Sequence, residues 1–246
     1  MDELLRMLLI FFAGVVASFV NVMAGGGSAL TLATMMLLGV DAPVANGTNR
    51  IGLLVESTSG ASTYAYELDK SIRESIILGL LTIPGAVIGA FLAVNISDDA
   101  FQNILSGVII FVIISLFVPT DKIKKSSKEP SRYLLWLGMF IVGLYGGFVQ
   151  AGIGFLIIFV LKYLKGISFV EINMHKVFIV LIYNIPILFL FGFTGNINYI
   201  YAISLALGSA IGAFISVKVS VRKGDRVVKF VIGLVLIAMA IRFLLS

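Results

Sequence analysis

Long stretches without any charged residue are the feature that most constrains this chain. Five of them hold 34, 23, 21, 29 and 41 residues, at 7–40, 75–97, 100–120, 133–161 and 177–217. A helix needs about 20 apolar residues to cross a bilayer. Only 13% of the residues are charged, whereas a soluble domain carries roughly a quarter. The sequence therefore predicts an all-α, polytopic membrane protein and excludes a secreted domain, a cytosolic enzyme and a nucleic-acid-binding protein.

Glycines interrupt two of these stretches. The segment 7–40 is too long for one crossing and too short for two, and Gly25-Gly26-Gly27-Ser28 interrupts it. The segment 133–161 is interrupted in the same way at Gln150-Ala151-Gly152-Ile153-Gly154. Non-helical backbone persists at membrane depth only where protein or water surrounds it. We interpret both segments as broken, re-entrant helical hairpins with glycine-rich tips inside the membrane.

Each hairpin is followed by three ordinary transmembrane helices, which are predicted at 43–66, 75–95, 100–118, 170–192, 198–217 and 226–245. The halves also match in sequence, in the same order: 14–21 with 143–150, 39–46 with 166–173, 88–91 with 211–214, and Asp99 and Gly107 with Asp225 and Gly233. Apolar helices can resemble one another by chance, but an ordered set of matches favours a repeat. The expected domains are a first repeat at 1–120, a basic linker at 121–132 and a second repeat at 133–246, with about 8 transmembrane segments.

The distribution of basic residues predicts the topology. Two loops, 119–132 and 217–229, hold ten of the 18 basic residues, and such loops face the cytoplasm. Both loops reach that side only if each hairpin returns to the side from which it entered. Each half then crosses an odd number of times, so the second repeat is inverted and both termini lie outside. Inverted repeats of transporters place the substrate near the midplane.

The first candidate site is the glycine run with Ser28, which begins the second half-helix of the first hairpin. Free N–H groups and the helix dipole attract anions at a helix N-terminus. The alternative is close helix packing, for which small residues are common in membranes.

The second candidate site combines amides and cations at corresponding places in the two halves. Asn46 and Arg50 begin one helix, and Asn173 and Lys176 begin its counterpart. We interpret them as an anion cage, with helix caps and snorkelling cations as the alternative. The full set of predicted substrate-binding residues is Asn21, Gly25, Gly26, Gly27, Ser28, Asn46, Thr48, Asn49, Arg50, Gln150, Gly152, Gly154, Asn173, His175 and Lys176.

Glu56 is the third candidate, because it follows Asn46 by ten residues, or about 15 Å of helix. An ionisable residue at that depth is costly unless it is paired or hydrated. Glu56 is either a carrier of a coupling proton or one member of a structural ion pair with Arg50 or Lys176.

In these residues the chain resembles the TauE/SafE family of sulfite and organosulfonate exporters. The resemblance covers nearly the whole chain and rests on Val20–Ser28, on Ala45–Arg50, on the repeat of that plan and on the basic central loop. It implies a multi-pass transporter in the cell membrane that carries sulfur-containing anions such as sulfite or sulfonates. It fixes neither the substrate nor the direction of transport.

We expect no metal and no cofactor, because the chain has no cysteine and a single histidine, His175. The expected partners are a small sulfur-containing anion, membrane lipid and, if Glu56 carries a proton, coupling protons, with no nucleic acid. A passive anion channel and an intramembrane hydrolase are the other functions considered. A hydrolase would need paired carboxylates at the site, and Glu56 is the only carboxylate predicted at membrane depth.

Overall fold

The computed structural model describes residues 2–68, 70–95, 132–148 and 150–244. Within these residues all regular structure is α-helical, in nine helices: α1 Glu3–Met23, α2 Ser28–Leu37, α3 Ala42–Glu67, α4 Arg73–Asn95, α5 Arg132–Phe148, α6 Ile153–Lys165, α7 Phe169–Phe193, α8 Tyr199–Lys223 and α9 Asp225–Leu244. Four of them, α1, α4, α7 and α8, are long and apolar enough to cross a membrane. The prediction of an all-α, polytopic membrane protein is confirmed. The predicted helix at 100–118 and nearly all of the basic linker lie outside the described residues.

Local sequence signals explain where several helices begin. Ser168 precedes α7, and its hydroxyl accepts a hydrogen bond from the Glu171 amide at 3.2 Å. This Ser-x-x-Glu pattern is a capping box. Asn198 caps α8 in the same way, accepting from the Tyr201 amide at 3.1 Å. Pro43 lies in the first turn of α3, where its missing N–H has no helical partner to lose.

Both glycine-rich segments break the chain where the sequence predicts. α1 ends at Met23 and α2 begins at Ser28, whereas α5 ends at Phe148 and α6 begins at Ile153. Each second arm returns beside the first. Arg6 near the start of α1 donates to the carbonyl of Leu38, just after α2, at 3.4 Å. In the second hairpin, a Cβ added to Gly138 would lie 3.0 Å from a methyl group of Val160 in α6.

The two halves pack against each other through reciprocal glycine seams. In the α1–α8 contact, a Cβ added to Gly208 would lie 2.1 Å from the carbonyl oxygen of Phe11. In the α4–α5 contact, a Cβ added to Gly85 would lie 2.2 Å from the carbonyl oxygen of Phe140. Both α4 and α8 continue with a second glycine four residues later, Gly89 and Gly212. This spacing lets helix backbones touch in membranes.

The prediction that residues 217–229 form a loop is wrong. α8 continues to Lys223 and α9 begins at Asp225, so only Gly224 separates them. Gly224 adopts a φ of +69°, which lets the chain turn within one residue. The basic residues that suggested a loop occupy the last turns of α8 and the first turns of α9. Cations at a helix C-terminus interact favourably with its free carbonyls, which explains why a charged segment can stay helical.

Candidate functional site

The two glycine-rich tips touch each other. A Cβ added to Gly25 would lie 2.3 Å from Cα of Gly154, and a Cβ added to Gly154 would lie 2.2 Å from Cα of Gly25. Gly25 also has a φ of +100°, a conformation that other residues rarely adopt. Only glycine at both positions permits this contact. The N-termini of α2 and α6 are therefore next to each other inside the protein.

Several backbone amides at these N-termini have no backbone acceptor. In the described residues, the N–H groups of Gly26, Gly27, Ser28 and Gly154 donate to no main-chain carbonyl. Free amides and aligned peptide dipoles give a helix N-terminus a partial positive charge. Two such ends side by side favour an anion over a cation.

Parts of the first tip are filled by packing. A Cβ added to Gly27 would lie 1.8 Å from the carbonyl oxygen of Ala17, and one added to Gly26 would lie 2.8 Å from the ring of Phe155. In this conformation Gly26 and Gly27 serve close packing, which is the alternative raised by the sequence. Ser28 is buried at the start of α2.

Arg50 is fully buried and donates to the end of α5, which is the first arm of the second hairpin. Its Nη1 and Nη2 lie 2.9 and 2.7 Å from the carbonyl oxygens of Gly146 and Gly147, in the last turn of α5. The guanidinium also lies 5.3 Å from the ring centroid of Phe191, within cation–π range. Its Nε has no partner among the described residues.

Lys176 occupies the reciprocal position. Its Nζ donates to the carbonyl oxygen of Val22, in the last turn of α1, and to Oδ1 of Asn173, both at 2.8 Å. The Asn173 amide donates to the carbonyl oxygen of Met23 at 3.0 Å. Each half therefore supplies a buried cation to the C-terminal carbonyls of the other half's first hairpin arm, where positive charge is stabilising.

The alternative of caps and snorkelling does not describe these residues. α3 and α7 begin at Ala42 and Phe169, so Asn46 and Asn173 lie in the second turn and cap neither helix. Both cations are almost completely excluded from the surface.

Asn49 of α3 accepts a hydrogen bond from the Thr31 hydroxyl of α2 at 2.6 Å.

Glu56 is buried near the middle of α3, and its carboxylate accepts a hydrogen bond from the Asn21 amide at 2.6 Å. The described residues include no ion pair within 4.0 Å between Glu56 and Arg50 or Lys176. The ion-pair alternative is thus absent as a direct contact.

Two predicted binding residues lie away from the tips. Thr48 accepts from the backbone amide of Asn198, the cap of α8, at 2.9 Å. His175 is hydrogen-bonded through Nδ1 to the Ser75 hydroxyl in α4 at 2.8 Å, and its Nε2 lies 4.0 Å from Glu74. Both side chains join one half of the protein to the start of a helix in the other half.

The second tip carries buried polar groups without protein partners. Gln150 has a φ of +67°, is completely buried, and neither of its side-chain amide atoms has a partner among the described residues. Gly152, two residues after Gln150, also has a positive φ. A left-handed backbone at a non-glycine residue is strained, and such strain concentrates at functional sites.

Sequence reasoning missed Tyr183 and Asn184 in α7. Asn184 donates to the main-chain carbonyl of Arg50 at 2.9 Å. The Tyr183 hydroxyl is fully buried and has no partner in the described part of the chain. An amide inside the charge-free stretch 177–217 was the available signal.

Residues 10–243 match the family described as sulfite exporter TauE/SafE. The chain belongs to the TauE/SafE family. No solved structure matches it.

Relatives of this TauE/SafE protein are described as transporters. It is 27% identical to the probable membrane transporter protein ORF9 of Sinorhizobium sp, over 96% of this chain and 91% of that one. It is 23% identical to the probable membrane transporter protein YfcA of Escherichia coli strain K12, over 96% and 88%. A probable membrane transporter protein of Haemophilus influenzae is also 23% identical, over 90% and 88%. TauE/SafE membership thus indicates a multi-pass membrane transporter with a small-molecule substrate.

Proposed function

We propose that this chain is a secondary transporter that exports small sulfur-containing anions, such as sulfite or organosulfonates. The family description names sulfite as the exported substrate. Sulfite and sulfonates present several oxygens that accept hydrogen bonds, which suits sites built from backbone amides and cationic side chains.

One observation carries the proposal: the tips of both hairpins meet at Gly25 and Gly154. The contact brings together the N-termini of α2 and α6. Arg50 and Lys176 donate to carbonyls in the last turns of α5 and α1, one or two turns of chain before the tips. An anion bound there would interact with positive dipole ends from both halves of the chain.

The structure suits the closed conformation of an alternating-access cycle. Gly25 and Gly154 leave no space between the tips, and both cations donate to backbone carbonyl oxygens. Rocking one half against the other would separate the tips and open the free amides of α2 and α6 to one side at a time. Such motions of repeats around a fixed site are the usual mechanism of secondary transporters.

Reciprocal contacts support an inverted repeat. Thr48 of the first half bonds to Asn198 at the start of α8, and His175 of the second half bonds to Ser75 at the start of α4. The α1–α8 seam corresponds to the α5–α4 seam, and the contact of Lys176 with α1 corresponds to that of Arg50 with α5. In each pair the two halves exchange roles. We infer that the halves are related by a two-fold axis in the membrane plane.

Charge at one end of the helices supports the proposed orientation. At the end where α3 stops and α4 begins, ion pairs join the two halves. They are Lys70 with Glu171 at 2.9 Å, Lys165 with Glu74 and Lys218 with Glu67. The described basic residues of this end are Lys70, Arg73, Arg132, Lys162, Lys165, Lys218, Arg222, Lys223, Arg226 and Lys229. A basic end faces the cytoplasm, so both termini lie outside.

Glu56 is the residue we propose for proton coupling. It is buried in the middle of α3 and is hydrogen-bonded to Asn21, and no cation among the described residues forms an ion pair with it. A carboxyl group there could bind and release a proton as the two halves move.

Flux in proteoliposomes tests the proposal. A secondary transporter should accelerate labelled sulfite efflux when an exchangeable anion or a proton gradient is present on the opposite side. Equal rates with and without any counter-gradient would indicate a passive channel and contradict the proposal.

A further inference from the structure

Two buried side chains, Arg50 and Tyr183, flank Gly146 at the end of α5, and each carries one donor without a partner among the described residues. Arg50 donates through Nη1 to the Gly146 carbonyl at 2.9 Å, while its Nε–H has no partner in the described part of the chain. On the Gly146 Cα side lies Tyr183, because a Cβ added to Gly146 would be 3.0 Å from both Cζ and Oη of Tyr183. The Tyr183 hydroxyl is likewise buried and unpartnered in the described residues.

The neighbourhood of these two side chains extends to the second tip. Arg50 and Tyr183 share Gly146 as a neighbour in α5. Tyr145 directly precedes Gly146 in α5, and its hydroxyl donates to the carbonyl of Ala151 in the second tip. Tyr183 is thus linked to the second tip through neighbouring residues of α5.

A buried hydroxyl without an acceptor is unfavourable, because it has lost its hydrogen bonds to water. Phenylalanine would fill the same space without that cost. Helix α7 carries a tyrosine here, and Gly146 leaves room for its ring and hydroxyl. The free-energy cost of this unpaired hydroxyl is offset only if a hydrogen-bond acceptor reaches it during the transport cycle.

We propose that the Tyr183 hydroxyl is a direct ligand of the transported oxyanion and that Nε of Arg50 binds a second oxygen of the same anion. Tyr183 then determines specificity, since two separate donors select an anion with at least two acceptor oxygens over a halide. This inference rests on the proposed function and assigns a residue to its site.

The test compares two tyrosine-to-phenylalanine variants of the full-length purified protein. Tyr64 is the matched control, since it is equally buried but its hydroxyl bonds to Ser220 at 3.2 Å. Thermal unfolding is followed while sulfite, taurine or chloride is titrated, because a ligand of the folded state raises the unfolding midpoint. The anion-free midpoint reports any structural role of the hydroxyl.

We expect Tyr183→Phe to weaken sulfite and taurine binding about tenfold, the effect of losing one charge-assisted hydrogen bond. Its anion-free midpoint should equal or exceed that of the wild type, because an unpaired polar group has been removed. Tyr64→Phe should lower the midpoint and leave affinity unchanged. Arg50→Lys keeps the positive charge but removes the Nε–H donor, so it should also weaken binding.

Three outcomes would overturn the inference. Tyr183→Phe could bind both anions within twofold of the wild type, which would exclude the hydroxyl as a ligand. It could lower the anion-free midpoint as Tyr64→Phe does, which would mean that water or protein already satisfies the hydroxyl. If the wild type itself responds to no anion, the proposed function fails and the inference fails with it.

Discussion

Lys176 of α7 donates a hydrogen bond to the carbonyl oxygen of Val22 in α1 at 2.8 Å, across 154 positions of the sequence. Arg50 makes the corresponding contact in the opposite direction, to Gly147 of α5 at 2.7 Å. The first arm of each hairpin is thus held by a cation from the other half of the chain. A movement of either hairpin must therefore break one of these contacts or carry the opposite helix with it.

The contact between the tips predicts a strong effect of a single methyl group. Gly154→Ala should destabilise the protein by about 1–3 kcal/mol, as overpacking does, and should abolish transport, because its Cβ would lie 2.2 Å from Cα of Gly25. Gly192→Ala is the control, since a Cβ at that helical position meets nothing within 4 Å. Unfolding midpoints and flux check both variants, and a Gly154→Ala protein with normal stability and transport would contradict the tip contact.

Glu56→Gln tests proton coupling. The substitution keeps a side chain that can hydrogen-bond to Asn21 but cannot release a proton. We expect transport driven by a pH gradient to disappear while anion binding persists. Substrate exchange at equal pH on both sides is the control and should continue. If the variant keeps the full pH dependence of the wild type, Glu56 is not the coupling residue.

The topology can be tested by labelling, because the natural chain has no cysteine. Single cysteines at Lys125 and Arg222 should react with an impermeant reagent only from the cytoplasm, and one at Asn196 only from outside. Arg222 lies near the end of α8 and Asn196 just before its start. Reaction of Lys125 and Arg222 from opposite faces would exclude an inverted repeat.

Much of the fold was predictable because it depends on local sequence. Glycine breaks and charge-free stretches located both hairpins and, apart from the end of α8, the ends of the described helices that follow them to within two residues. The turn at Gly224 was not predictable from charge, because the basic residues beside it are compatible with helix ends as well as with a loop.

The site was only partly predictable because its contacts are distant in the chain. The sequence singled out Arg50, Lys176 and Gln150 as polar residues in apolar surroundings. It could not reveal that both cations donate to carbonyls of the opposite half, nor that His175 is directed towards Ser75. Tyr183 was missed because a tyrosine in a membrane helix is ordinary until its hydroxyl is found without a partner.

Sulfite binding by the purified protein tests the central claim most directly, in the wild type and in Arg50→Ala, Lys176→Ala and Arg222→Ala. Loss of a charge-assisted hydrogen bond costs about 1.5–3 kcal/mol, so each buried-cation variant should bind roughly 10- to 150-fold more weakly. Arg222 is exposed at the basic end, where its charge is screened, so its removal should leave affinity nearly unchanged. Wild-type affinity in folded Arg50→Ala and Lys176→Ala proteins would contradict an anion site at the hairpin tips.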